Sequence, residues 1–278
     1  AMIDLGLDSF LRSALQEDLG TGDITTECCV PEEARSSAVF RCKQAGVICG
    51  LEVGRRVFAL LDPSVEFTPL VAEGTAAEVG EVVATISGPS RSILSGERLA
   101  LNLMQHMSGV ATRTAELVKK IEGTGAVIVD TRKTTPGLRV LEKYAVRMGG
   151  GTNHRFNLAD GVLIKDNHIV AAGGITAAVE NARKIVPHTL KIEVETTNLQ
   201  EVQEALDAGA DIIMLDNMSC PEMKQAVAQI AHRAKVEASG NMGSRDIREV
   251  AETGVDLISV GALTHSVEAL DISLQFQQ

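Results

Sequence analysis

Residues 189–239 read TLKIEVETTNLQEVQEALDAGADIIMLDNMSCPEMKQAVAQIAHRAKVEAS. Three short apolar runs, 189–195, 211–215 and 234–238, are separated by two segments, 199–208 and 221–231, whose apolar residues recur at helical spacing. Parallel strands cannot be joined by a tight turn and need a crossover, so strand after helix at this period predicts successive βα units and a parallel sheet. The rhythm continues on both sides, with strand-like runs at 126–130, 161–164 and 256–260 and helical patterns at 176–186 and 244–253. No G-x-G-x-x-G turn follows the first strand, which argues against a dinucleotide-binding sheet. The expected fold is α/β, a (β/α) barrel with fewer than eight strands.

Upstream the texture differs. Apolar residues Leu5, Leu7, Phe10, Leu11, Ala14 and Leu15 predict an amphipathic helix over 4–18, ended by Gly20 and Gly22. Between 36 and 90 short β-like runs punctuated by Gly and Pro predict a small antiparallel region with helices, and a helical stretch follows at 95–121. The expected division is a smaller N-terminal α+β sandwich domain over 2–108 and a barrel over 109–266. The tail 267–278 is expected to return to the small domain as a last helix. Ala1, ahead of Met2, reads as a cloning remnant.

Composition narrows the function. A chain of 278 residues, 45% hydrophobic, can bury a large core. Its formal charge of −11 repels nucleic acid and anionic membranes, and with no Trp and one Tyr there is little to stack bases. Neither nucleic acid nor membrane is an expected partner. The sequence holds no apolar run of the ~20 residues needed to span a bilayer and no basic leader followed by an apolar stretch, which predicts a cytoplasmic protein. Five cysteines, Cys28, Cys29, Cys42, Cys49 and Cys220, are odd in number and without a C-x-x-C pair, so reduced structural thiols are expected.

In parallel barrels ligands bind at the C-terminal ends of the strands, and here six successive expected strands end in polar or glycine-rich residues. They close on Asp130-Thr131-Arg132-Lys133, Lys165-Asp166-Asn167-His168, Glu193 and Glu195, Asp216-Asn217, Glu237 with Ser239-Gly240-Asn241, and Gly261. Arg132, Lys133, His154, Arg155 and Lys165 gather positive charge within an acidic chain, so an anionic ligand is the natural compensation. Arg offers a planar fork for carboxylate or phosphate and Lys a point charge. Glu195 and Asp216 are oxygen-only ligands of the kind that suits Mg²⁺ shared with substrate phosphates, and general acid–base work or stabilisation of a developing cation is the competing role. The runs 239–243 and 260–264 place Gly where backbone N–H groups can approach a phosphate.

The motifs Thr131-Arg132-Lys133-Thr134-Thr135-Pro136-Gly137, Glu142-Lys143-Tyr144, Gly149-Gly150-Gly151-Thr152-Asn153-His154-Arg155 and Lys165-Asp166-Asn167-His168 together closely resemble those of quinolinate phosphoribosyltransferases. Glu193-Val194-Glu195, Leu215-Asp216-Asn217, Glu237-Ala238-Ser239-Gly240 and Gly261-Ala262-Leu263-Thr264 continue the match, as do Glu17-Asp18, Gly22-Asp23 and Gly96-Glu97-Arg98. The resemblance spans nearly the whole chain. It implies transfer of phosphoribose from phosphoribosyl pyrophosphate to quinolinate with decarboxylation, giving nicotinate mononucleotide, pyrophosphate and CO₂ in de novo NAD synthesis. It further implies a homodimer or higher assembly in which Arg98 reaches the neighbouring subunit's site and joins Arg132, His154, Arg155 and Lys165 around the quinolinate carboxylates. Thr131 and Lys133 would line the same pocket, with Lys133 near the pyrophosphate. Glu195 and Asp216 would hold the ribose and its Mg²⁺, and Ser239, Gly240, Asn241, Val260, Gly261 and Ala262 the 5′-phosphate. Many relatives carry a second Gly where this chain has Asn241, a change that keeps the backbone N–H.

Overall fold

A computed structural model describes residues 6–278; Ala1, Met2, Asp4 and Leu5, which enter the expectations above, lie outside the described residues. The chain divides into two compact units, one built from the residues up to Ala115 with Thr135–Gly150 and Val267–Gln278, the other from Glu116–Thr134 and Gly151–Ser266.

The first unit carries a four-stranded antiparallel sheet in which Ile272–Phe276 pairs with Arg35–Cys42, which pairs with Val82–Pro89, which pairs with Glu66–Pro69. Phe40 and Phe58 are fully buried and pack with Phe67. The opening helix spans Leu7–Leu19 and buries Leu7, Leu11 and Leu15 at four-residue spacing. The tail is a strand and not the expected last helix. Five residues are too few for helical and extended patterns to be told apart locally, and ladder bonds from Ala38 to Cys42 decide it. The long helix Ser90–Lys120 runs without a break through the expected boundary at Ser108. A helix at Arg139–Met148 was not foreseen; it buries Glu142, Lys143 and Tyr144, polar residues that hid its inner face.

The second unit is a (β/α) barrel of six parallel strands: β1 (Val127–Val129), β2 (Val162–Ile164), β3 (Ile192–Thr196), β4 (Ile212–Asp216), β5 (Lys235–Ser239) and β6 (Leu257–Ser259). Their order in the sheet is β1-β6-β5-β4-β3-β2. The last strand therefore pairs with the first, and the seam lies between β1 and β2, where Thr152 bridges to Val129. Helices α1 (Asp166–Ala172), α2 (Ile175–Ile185), α3 (Leu199–Asp207), α4 (Cys220–Ile230), α5 (Ile247–Ala251) and α6 (Ala262–His265) follow the strands. Side-chain polarity starts several of them: Asn198, Ser219 and Asp246 each accept a backbone N–H of the first turn. Val194, Ile213, Leu215, Val236 and Ala238 are buried on one side of the sheet, and alternation puts Glu193, Glu195, Glu237 and Ser239 on the other. Among the described residues no helix is long and apolar enough to cross a membrane.

Candidate active site

A cavity of about 460 Å³ opens at the C-terminal ends of the barrel strands. Its lining joins residues from five strand ends: Thr131, Arg132 and Lys133 after β1, Leu163 and Lys165 with β2, Glu195 on β3, Met214 and Asp216 on β4, and Ser239 on β5. His154 and Arg155 enter from the segment that fills the seam, and Asp166 from the start of α1. Parallel register makes this possible, because Ser239 stands opposite Asp216 and Glu195 opposite Met214. All five expected cations and both expected carboxylates thus meet at one cavity, with cations toward β1 and β2 and acids toward β3 and β4.

Burial under these charges is compensated from below. Asp130, fully buried, accepts the backbone N–H of His154 and the side-chain amide of Asn153, both at 2.7 Å. His154 Nε2 lies 2.9 Å from Glu193 Oε1 and 2.9 Å from Glu237 Oε1, and its Nδ1 accepts the Arg155 backbone N–H at 2.8 Å. Only the Glu193 contact has hydrogen-bond geometry; the approach to Glu237 is an ion-pair distance. Burial alone would push the His154 pKa down, but the Glu193 hydrogen bond and the charges of both glutamates oppose it and raise it. The Arg155 N–H donated to Nδ1 opposes a second ring proton there, and the Nε2 edge faces the carboxylates. Burial pushes Glu193 up, opposed by His154 and reinforced by the Glu237 charge. Burial and the Arg132 charge lower the pKa of Arg155, while Glu193 and Asp160 oppose that shift. On the acidic wall, burial and the charges of Asp216 and Asp166 raise Glu195, against Lys165.

The glycine-rich turn after β5 is shaped by local contacts. Gly240 has φ of +102°, and a Cβ there would stand 2.3 Å from Asn217 Oδ1. Asn241 follows at φ of +52°, the left-handed region that Asn tolerates better than other side chains. It therefore keeps the conformation a Gly would adopt. Of the six residues expected to take a phosphate, Ser239 lines the cavity; Gly240, Asn241, Val260 and Gly261 stand in the turns after β5 and β6, with Val260 buried, and Ala262 begins α6 with Gly261 as its N-cap. Arg98 belongs to the other compact unit, where it is exposed and its guanidinium meets Asn102 at 3.5 Å.

Leu163 and Met214 line the cavity but escaped the sequence reading, which followed charge. Their parity could have found them, since each lies two residues before a polar lining residue, Lys165 and Asp216. A group of three metal-capable side chains lies beside the expected pair. Among the described residues that cluster is His154, Glu193 and Glu237, one layer below Glu195 and Asp216.

Residues 23–108 match the family described as quinolinate phosphoribosyl transferase, N-terminal domain, and residues 110–275 match its C-terminal domain. The chain is 48% identical over 272 residues to a probable nicotinate-nucleotide pyrophosphorylase (carboxylating) of Synechocystis sp., covering 97% of this chain and 92% of that protein. It is 43% identical to the protein of the same description from Bacillus subtilis, covering 98% and 94%. A solved nicotinate-nucleotide pyrophosphorylase from Francisella tularensis superposes with a TM-score of 0.94 at 42% identity, covering 98% and 96% of the two chains.

Proposed function

The chain belongs to the quinolinate phosphoribosyltransferase family, and from that premise we propose how its own side chains divide the work. The enzyme transfers phosphoribose from phosphoribosyl pyrophosphate to quinolinate with loss of CO₂, giving nicotinate mononucleotide and pyrophosphate in NAD biosynthesis. The observation that supports the assignment of roles is the meeting of five cations and the carboxylates Glu195 and Asp216 in the lining of one cavity. Arg132, Arg155 and Lys165, with His154 at the floor, receive the two carboxylates of quinolinate. A monocarboxylate would leave cations at the cavity without an anionic partner. Leu163 and Met214 offer apolar surface to the pyridine ring.

Glu195 and Asp216 take the ribose. Their donor set fits Mg²⁺: two carboxylates, with Glu195 raised by burial and by the charges of Asp216 and Asp166, form a site that a cation relieves and that waters and substrate oxygens would complete. When bound there, the ion would neutralise pyrophosphate charge. Ser239, Gly240 and Asn241, with Val260, Gly261 and Ala262, direct backbone N–H groups and the start of a short helix to the 5′-phosphate, and Thr131 lines the quinolinate pocket.

The pyridine nitrogen attacks ribose C1 as the C1–O bond to pyrophosphate breaks, through a transition state with oxocarbenium character. Lys133 neutralises the leaving oxygens, and Glu195 or Asp216 faces the positive sugar. The positive charge of the quaternary nitrogen then stabilises the electron pair that stays on C2 as a carbanion when the C–C bond to the carboxylate breaks and CO₂ departs. A proton from solvent completes the ring. No side chain forms a covalent bond, so positioning and fixed charge supply the rate. A homodimer in which exposed Arg98 enters the neighbouring site, working in the cytosol with its cysteines reduced, completes this reading; the five thiols are free.

The test is a Mg²⁺-dependent assay with quinolinate and nicotinate in parallel and Arg155→Ala as control. Product from quinolinate alone, lost in the control, is expected; turnover of nicotinate with equal efficiency would remove the dicarboxylate assignment.

A further inference from the structure

The buried pair Glu193 and Glu237 has no place in the reaction just described, yet it is costly. Both are nearly or fully buried, at 2% and 0% exposure, and Glu193 Oε2 with both Glu237 oxygens lacks a hydrogen-bond partner. Unsatisfied buried carboxylate oxygens in a barrel core call for a reason. One of them, Glu237 Oε1, and the hydrogen-bonded Oε1 of Glu193 face one neighbour. His154 Nε2 sits 2.9 Å from an oxygen of each, and on the far side of the ring Nδ1 accepts the backbone N–H of Arg155 at 2.8 Å. The imidazole thus spans from a buried carboxyl pair to the backbone of the residue that faces the substrate. Glu193 also acts on Arg155 directly, its charge favouring the guanidinium that Arg132 disfavours.

We infer that Glu193 and Glu237 are positioning residues for the pyridine-dicarboxylate subsite, fixing His154 as a strut that sets the backbone and guanidinium of Arg155. This rests on the assignment of Arg155 to quinolinate made above. Arginine recognises carboxylates by a rigid fork, so a small rotation of its backbone costs affinity for a dicarboxylate while leaving the ribose and phosphate contacts on β3 to β6 untouched. The same three groups are spaced for a divalent ion, but the strut puts a proton on Nε2, facing the carboxylates, and Arg155 and Arg132 supply cations beside them.

The experiment is steady-state kinetics of Glu237→Gln and Glu193→Gln, isosteric changes that remove charge and keep volume, with each substrate varied in turn. The quinolinate KM is expected to rise about tenfold, within the range for a lost charge-assisted hydrogen bond, while the KM for phosphoribosyl pyrophosphate stays within about twofold. A folded variant with both KM values unchanged, or with both raised equally, overturns the inference. Arg155→Ala reports on the underlying assignment: if it leaves the quinolinate KM intact, the subsite reading fails and not the strut alone. ¹⁵N NMR of histidine-labelled wild-type enzyme needs no variant. An unprotonated Nδ1 and a protonated Nε2 at His154 support the strut, and a protonated Nδ1 overturns it. Stoichiometric metal in the purified enzyme that disappears in Glu237→Gln would replace the strut with a metal site.

Discussion

The aliphatic stem of Lys133 lies against Gly261, so closely that a Cβ at position 261 would stand 3.0 Å from Lys133 Cδ and 3.2 Å from His265 Cδ2. The hydroxyl of Thr264 donates to the Lys133 carbonyl at 2.7 Å, tying the loop after β1 to the helix after β6. The ammonium that would meet the pyrophosphate is therefore placed by the turn assigned to the 5′-phosphate.

Gly261→Ala should displace Lys133 without unfolding the barrel, because the clash is with the flexible part of a side chain and Gly261 has ordinary helical φ. We expect kcat to fall about tenfold, at the low end of what losing one transition-state donor costs, with thermal stability near that of wild type. Kinetics alongside a melting curve decide it; a normal kcat would show that the stem moves freely.

Asp130→Ala should be costly. It removes a fully buried carboxylate that accepts from His154 N and Asn153 Nδ2 and leaves both donors facing a void. Charge-assisted hydrogen bonds contribute about 1.5–3 kcal/mol each, so a loss of about 3 kcal/mol is expected in chemical denaturation, with weaker quinolinate binding in the protein that remains folded.

Asn241→Gly should be neutral or slightly stabilising, since φ of +52° suits Gly at least as well, whereas Asn241→Ala should cost about 1 kcal/mol through left-handed backbone strain. The KM for phosphoribosyl pyrophosphate should follow the same order. Equal stability of the Gly and Ala variants would mean the turn relaxes.

Acid should expose the cap at Asp23. Its carboxylate accepts the hydroxyl of Thr26 at 2.6 Å, the backbone N–H of Thr26 at 3.2 Å and the hydroxyl of Ser95 at 3.0 Å, which hold the folded pKa below the ordinary 3.8. A carboxyl lowered on folding contributes stability that is complete above 3.8 and disappears as pH falls through the lowered folded value. Asp23→Asn should cost little at pH 7 and remove part of the pH dependence of unfolding below 3.8; an unchanged acid slope would contradict the assignment.

Thiol titration should divide the cysteines. Cys28 and Cys29 are exposed, while burial raises the pKa of Cys42, Cys49 and Cys220. Two thiols should react promptly with an aromatic disulfide and the other three only after denaturant is added. Prompt reaction of a third would reveal local opening.

The βα rhythm, the strand-end chemistry and the identity of the cationic and acidic residues were legible in the sequence because each rests on local spacing. Periodicity reports which way a side chain faces, and residues at a strand's end are set by the strand. Three things were decided by tertiary structure. The tail is a strand because Arg35–Cys42, more than 200 residues away, offers it a ladder. The barrel has its seam between β1 and β2 because Thr152 and not β2 bonds β1 there, and this brings His154 and Arg155 into the cavity. Glu193 and Glu237 read as two more polar strand ends; only the closure of six strands brings both to one imidazole, since sequence separation carries no information on which inward-facing side chains meet across a barrel.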